Sequence, residues 1–189
     1  KPANTFVARF IGAPSMNLVE ATLLSDGAVG FGRHRISLDS KRRPDVQERV
    51  RADLSLVPSF VEEVLRFESP VAGLVRRATQ DVEVNGVVIP EGTMVMARYQ
   101  AANRDAEVFD DADEFDLDRS RDHQHLAFGV GPHFCVGAAL ARQELVSAFT
   151  AWLERTSNIE LARPFNGPVH EPSFMLYPMV ELPLRFTAA

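Results

Sequence analysis

The chain has one cysteine, one tryptophan and two tyrosines among 189 residues. A single cysteine excludes an internal disulfide framework and is compatible with a reducing cytoplasm. No stretch approaches the run of about 18 apolar residues that a membrane span needs. The start Lys1-Pro2-Ala3-Asn4 lacks a secretory apolar core. Basic residues are in deficit: 20 Lys and Arg against 26 Asp and Glu leave a net charge of −6, which offers no footprint for nucleic acid. Internal repeats and low-complexity tracts are also missing. What remains is an ordinary globular composition, enough for one sizeable domain or two small ones. These absences predict a cytoplasmic protein that engages neither nucleic acid nor membrane.

The one cysteine lies in Phe128-Gly129-Val130-Gly131-Pro132-His133-Phe134-Cys135-Val136-Gly137. A lone cysteine is most often a small buried hydrophobe. Here it sits among three glycines, whose missing side chains let a backbone approach a flat, bulky group and take positive φ. A helical pattern follows at once, from about Cys135 to Arg155. The unpaired N–H groups and positive dipole end of a helix N-terminus suit a negatively charged sulfur. A thiolate of this kind can hold haem iron.

The pattern along the chain changes near residues 38–44. From Pro44 a helix is expected through Ala52, with proline at its first position. Pro58 opens a second, Ser59 to Phe67, which Pro70 stops. Val82-Glu83-Val84 and Val87-Val88-Ile89 flank Asn85-Gly86, a strong hairpin signal. Pro90-Glu91-Gly92 turns into Met94-Val95-Met96, and residues 100–125 read as a polar meander anchored by Phe109 and Phe115. The proline-rich tail reads as strands and turns. Before residue 40, Gly12, Pro14, Gly27, Gly30 and Gly32 forbid a long helix. Leu18 to Leu24 and Arg33 to Leu38 read there as short antiparallel strands.

Several charged and imidazole side chains admit two readings. Glu63 and Arg66, at i and i+3, share a helix face; alone they are an exposed ion pair worth under about 1 kcal/mol. Arg76-Arg77 reads as a solvated basic pair at a strand edge. His123 and His125 flank Gln124, and imidazole is a common metal ligand. Without further His or Cys at suitable spacing, they read as solvated loop histidines.

The spacing F-G-x-G-x-H-x-C-x-G resembles the signature of the cytochrome P-450 haem-thiolate monooxygenases. The resemblance implies haem as cofactor, with Cys135 as proximal iron ligand and His133 near a propionate. Phe128 would shield the sulfur. Gly131 and Gly137 would let the loop pass beneath the porphyrin, with Gly129 in the same cofactor-binding loop. Glu63 and Arg66 match the family's buried E-x-x-R pair, a structural element joined by an arginine from the meander. Phe115-Asp116-Leu117-Asp118-Arg119 resembles its F-D-x-x-R element and nominates Arg119, although many relatives carry a further Arg where this chain has Glu114. An R-x-A segment places Arg76, but not Arg77, at a position whose guanidinium pairs with a propionate. Residues 71–75 and the tail around Phe174-Met175-Leu176 would then line a cavity for a small apolar substrate. Ala101-Ala102-Asn103-Arg104-Asp105 resembles a segment that orders the meander. The implied fold is a partial P-450 fold, mixed α and β, mainly helical with small sheets. The implied reaction is hydroxylation with O₂ and electrons from a ferredoxin-type donor, as in soluble bacterial members.

The family's distal, oxygen-activating helix should end just before Pro44, and residues 5–40 do not read as one. The expectation is therefore a truncated or fused chain with impaired oxygen activation. Pro2-Ala3-Asn4-Thr5-Phe6-Val7-Ala8-Arg9-Phe10-Ile11-Gly12-Ala13-Pro14-Ser15-Met16-Asn17-Leu18 instead resembles the start of the regulatory domain of maltose-type ABC importer ATPases. No ATPase glycine loop accompanies it. The expected division is a β-rich importer-like segment at 1–40 and the C-terminal half of a P-450 domain at 41–189. Two other functions stay open: an interaction or regulatory module of an importer in which Cys135 is idle, and a non-functional fusion remnant.

Overall fold

The computed structural model describes residues 22–23, 28–31, 34–37, 44–120, 124–162, 170–171, 173 and 175–188. The importer-like motif at 2–18, His123 and Phe174 lie outside the described residues. The chain forms two compact units, 1–42 and 43–189. Among the described residues, no helix is long and apolar enough to cross a membrane.

In the first unit, β1 (Thr22–Leu23), β2 (Ala28–Phe31) and β3 (His34–Ser37) form an antiparallel sheet in that order. Val29 faces Leu23 on one side and Ile36 on the other. Of the expected strands, β3 falls within residues 33–38 and β1 within residues 18–24, of which 18–21 and 24 lie outside the described residues; β2, between them, is not among those expected.

The second unit opens with α1 (Pro44–Ala52), which has Asp45 in its first turn and Arg49 and Arg51 in its last, complementing the helix dipole. Val46 and Val50, one turn apart, are buried. The Asp53 carboxylate accepts the Ser55 N–H at 3.0 Å and caps a short 3-10 turn, Leu54–Leu56. Then α2 runs over Val57–Phe67, two residues earlier than the proline alone suggests, with Pro58 in its first turn. Val57, Val61 and Leu65 recur every four residues and are buried.

That stripe is the centre of the core. Leu117 and Ala127 join it, with Phe60, Phe115, Phe128, Leu145, Val146, Phe149 and Leu153 packed around. The Phe60 ring meets Phe149 edge-on, 5.0 Å between centroids, and Phe115 at 6.0 Å. The facing helix is α4 (Ala138–Arg155). Its start lies three residues beyond the expected Cys135, because Val136-Gly137 still turn. Arg51 ties α1 to the end of α4 through the Leu153 carbonyl at 2.6 Å and the Thr156 carbonyl.

The sheets are small. β4 (Leu74–Arg77) pairs antiparallel with β7 (Met94–Ala97), and β5 (Val82–Val84) with β6 (Val87–Ile89). Asn85 and Gly86 have φ of 49° and 78°, the paired left-handed residues of a type I′ hairpin. A one-turn helix α3 (Tyr99–Ala102) leads into the meander, and β8 (Thr156–Leu161) pairs with β9 (Leu184–Ala188). Helices with several two-stranded sheets make the architecture mixed α and β.

Candidate functional site

The cysteine loop is held by its own backbone. A turn closes Leu126 to Gly129, with the Gly129 N–H donating to the Leu126 carbonyl at 2.9 Å. Gly129 and Gly131 take φ of 73° and 75°, a region that side chains disfavour. Gly131–His133 form a single 3-10 turn, and the chain doubles back so that the Cys135 N–H donates to the Phe128 carbonyl at 2.9 Å. The Ala138 N–H donates to the Cys135 carbonyl at 3.1 Å, which docks the cysteine onto the start of α4. Cys135 is a free, exposed thiol. A Cβ at Gly137 would lie 3.8 Å from the sulfur, in ordinary van der Waals contact with it.

Apolar residues around this thiol stand in solvent. Val136 is fully exposed, Val130 is 71% exposed and Leu140 61%. A loop with one soft sulfur donor and exposed hydrocarbon suits a flat apolar group carrying a thiophilic metal. The residues present fit haem. His133 is exposed at the end of the 3-10 turn. Arg76 is exposed on β4, and its guanidinium donates to the Val75 carbonyl at 2.9 Å. The Phe128 ring is partly buried against the core, with its edge toward Phe134 at 6.4 Å between centroids.

Residues 71–75 and the tail meet through the backbone. Val71 bridges Leu176, and the Ala72 N–H donates to the Met175 carbonyl at 2.7 Å. Ala72 and Gly73 are buried, while Val75, Met175 and Leu176 are exposed. The surface available to an apolar ligand is thus narrower than the five-residue segment.

Glu63, Arg66 and Arg119 come together in the interior. Arg66 Nε and Nη2 donate to Glu63 Oε2 and Oε1 at 2.8 and 2.7 Å. Its other three N–H bonds reach the carbonyls of Asn103 (2.8 Å), Ala112 (2.8 Å) and Glu114 (2.9 Å). All five guanidinium donors are used. Arg119 adds Nε to Glu63 Oε1 at 3.2 Å and directs three further N–H bonds to the carbonyls of Asp110, Asp111 and Glu114. Burial pushes the Glu63 carboxyl up, but Arg66, the Asp116 N–H and Arg119 outweigh it and hold it below the usual range. At position 114 the backbone carbonyl serves both arginines, so the meander is engaged without an arginine side chain there.

Three functional neighbours escaped the sequence reading. Asn103, fully buried, donates to Ser69 Oγ at 2.7 Å and accepts the Leu126 N–H at 2.6 Å, tying α2 to the base of the cysteine loop. Only its place in the Ala101–Asp105 segment hinted at this. Glu62 and Arg142 form a fork across α2 and α4, with N–O distances of 2.7 and 3.0 Å. Neither belongs to a sequence motif. Burial raises the Glu62 carboxyl, and the hydrogen bonds from His125 and Arg142 with the Arg142 charge reverse that, lowering it to about 2.

His125 is a correction. It is 7% exposed, not a solvated loop histidine. Its Nδ1 accepts the Ala127 N–H at 3.2 Å, which leaves Nε2 to donate to Glu62 Oε2 at 3.1 Å. The core packing of Ala127 and Phe128 carries the histidine inward. Among the described residues, no three metal-ligating side chains cluster.

Comparison with known proteins places this geometry. The family model described as Cytochrome P450 matches residues 34–161. Cytochrome P450 107B1 of Saccharopolyspora erythraea is 44% identical over 143 residues, 75% of this chain and 35% of that protein. Luteothin monooxygenase of Streptomyces thioluteus is 42% identical over 161 residues, 82% of this chain and 39% of its own length. The solved structure of cytochrome P450 CYP109Q5 from Chondromyces apiculatus superimposes with a TM-score of 0.73 at 41% identity, over 77% of this chain and 37% of that one. The chain thus spans between 35% and 39% of these relatives. A match over most of the chain, which takes in the buried Glu63–Arg66 pair and the Cys135 loop alike, leaves one assignment: the chain belongs to the cytochrome P450 family.

Proposed function

We propose that Cys135 is the proximal ligand of a haem and that the chain carries the proximal part of a monooxygenase acting on a small apolar molecule. The observation that carries this reading is the free, exposed thiol fixed between the Phe128 carbonyl and the first turn of α4. Bound haem supplies oxygen chemistry, which the electron density of a thiolate ligand favours. The chain's own residues do the rest. The backbone bonds at Cys135 and Ala138 fix the position of the cysteine, and the absence of side chains at Gly129, Gly131 and Gly137 would leave room for a haem to approach the loop.

Arg76 and His133 supply cationic and hydrogen-bonding groups for the propionates, once Arg76 leaves the Val75 carbonyl for a carboxylate fork. Val130, Val136 and Leu140 cover the ligand's apolar surface. Met175 and Leu176 beside Val71 offer the hydrocarbon that orients an apolar substrate. Glu63, Arg66 and Arg119 hold α2 and the meander in place. Electrons come from a ferredoxin-type donor in a cytoplasmic setting.

The test is a haem titration of the purified chain, followed by reduction and carbon monoxide. A red-shifted thiolate-type band that disappears in Cys135→Ala is the expected result. The same band in both proteins removes Cys135 as ligand. The importer-like reading of residues 1–40 rests on the sequence motif at 2–18 alone. Its test is pull-down against importer membrane subunits.

A further inference from the structure

We propose that Arg142 is a positioning residue for the Cys135 sulfur, acting through Phe128 and anchored by Glu62. The inference deepens the haem-thiolate reading and rests on it. Arg142 donates from Nε and Nη2 to the two Glu62 oxygens at 2.7 and 3.0 Å, so its plane is fixed in two directions. That plane lies over the Phe128 ring, 4.6 Å from guanidinium carbon to centroid. The rings of Phe134 and His125 also neighbour it, at 6.4 and 6.2 Å between centroids.

Phe128 is therefore boxed in, and its carbonyl is the acceptor of the Cys135 N–H. Packing on the Phe128 ring restricts where that residue's backbone can sit, and with it the carbonyl that receives the cysteine N–H. The second Glu62 oxygen is shared with His125 at 3.1 Å. One carboxylate on α2 thus clasps both the entry of the cysteine loop and the helix that leaves it. The clasp spans 80 residues of sequence between Glu62 and Arg142. Its purpose differs from that of the Glu63 cluster: it bears on where the sulfur sits, not on the meander.

The test uses the full chain. Amide hydrogen exchange is followed at Cys135 and, as an internal standard, at Val61 and Leu65 of α2. In Arg142→Ala, exchange at Cys135 is expected to rise about tenfold while α2 changes less than about twofold. Arg142→Lys keeps the cation over the ring but loses the fork, so a smaller rise is expected. With haem, reduction and carbon monoxide, Arg142→Ala is expected to move part of the band from the thiolate to the thiol position, and Arg142→Lys to restore it in part. Arg49→Ala, at an exposed pair with Asp118, is expected to do neither. Where Arg142→Ala does not fold, Phe128→Leu is measured by the same criteria.

Cys135 exchange within about twofold of the parent, or a rise matched throughout α2, overturns the proposal. If the parent shows no thiolate band, the haem reading fails while the exchange data still decide the clasp.

Discussion

Glu63 and Cys135 belong to the same unit and are treated by the fold in opposite ways. Around Glu63, burial is nearly complete, at 5% exposure for the carboxylate and 2% for Arg66, and every guanidinium donor of Arg66 has an acceptor. Around Cys135, the thiol is free and valines and a leucine face solvent. A buried ion pair tolerates no missing partner, whereas exposed hydrocarbon in a contiguous patch marks a surface intended for something else. The first region holds the chain together. The second leaves a thiol and hydrocarbon open to solvent, which the proposed haem site requires.

The contrast can be broken at its stable end first. Arg66→Met is expected to lower the unfolding free energy by about 3–5 kcal/mol, since it removes the two-pronged partner of a buried carboxylate and the donors to three buried carbonyls, and urea denaturation followed by circular dichroism measures it. Asn103→Ala comes next. It removes the acceptor of the Leu126 N–H and the amide that donates to Ser69 Oγ, and is expected to cost about 1–3 kcal/mol in the same assay.

Acid sharpens the comparison. The Glu62 carboxyl is held at about 2 in the folded chain, below its ordinary 4.5. Its contribution to stability is therefore complete above pH 4.5 and is lost as pH falls toward 2. Denaturant melts across that window should show a shallower decline for Glu62→Gln than for the parent.

The exposed end gives the smallest effect on folding. Val136→Ser is expected to change stability by less than about 0.5 kcal/mol, while weakening haem binding in an absorbance titration. A larger loss of stability there would mean that the loop serves the core after all.

Legibility in the sequence followed the same divide. Local rules were sufficient for the Asn85-Gly86 hairpin and for Pro44 and Pro58 at helix starts, because each depends on a few neighbouring dihedral preferences, whereas β2 carried no such signal. The cysteine loop was visible because its glycine positions are fixed by φ and by access to the sulfur. His125 was misread because its burial is decided by Ala127 and Phe128 joining a core made 60 residues earlier, with Glu62 lying 63 positions away. The Glu62–Arg142 fork has no local signature at all. A Glu on one helix and an Arg on another are ordinary surface residues until packing brings α2 and α4 side by side.

Iron K-edge X-ray absorption on the haem-loaded chain tests the central claim most directly. One sulfur in the first coordination shell of the parent, replaced by nitrogen in Cys135→His, is the result this account predicts. A shell of nitrogen and oxygen alone in the parent would contradict it.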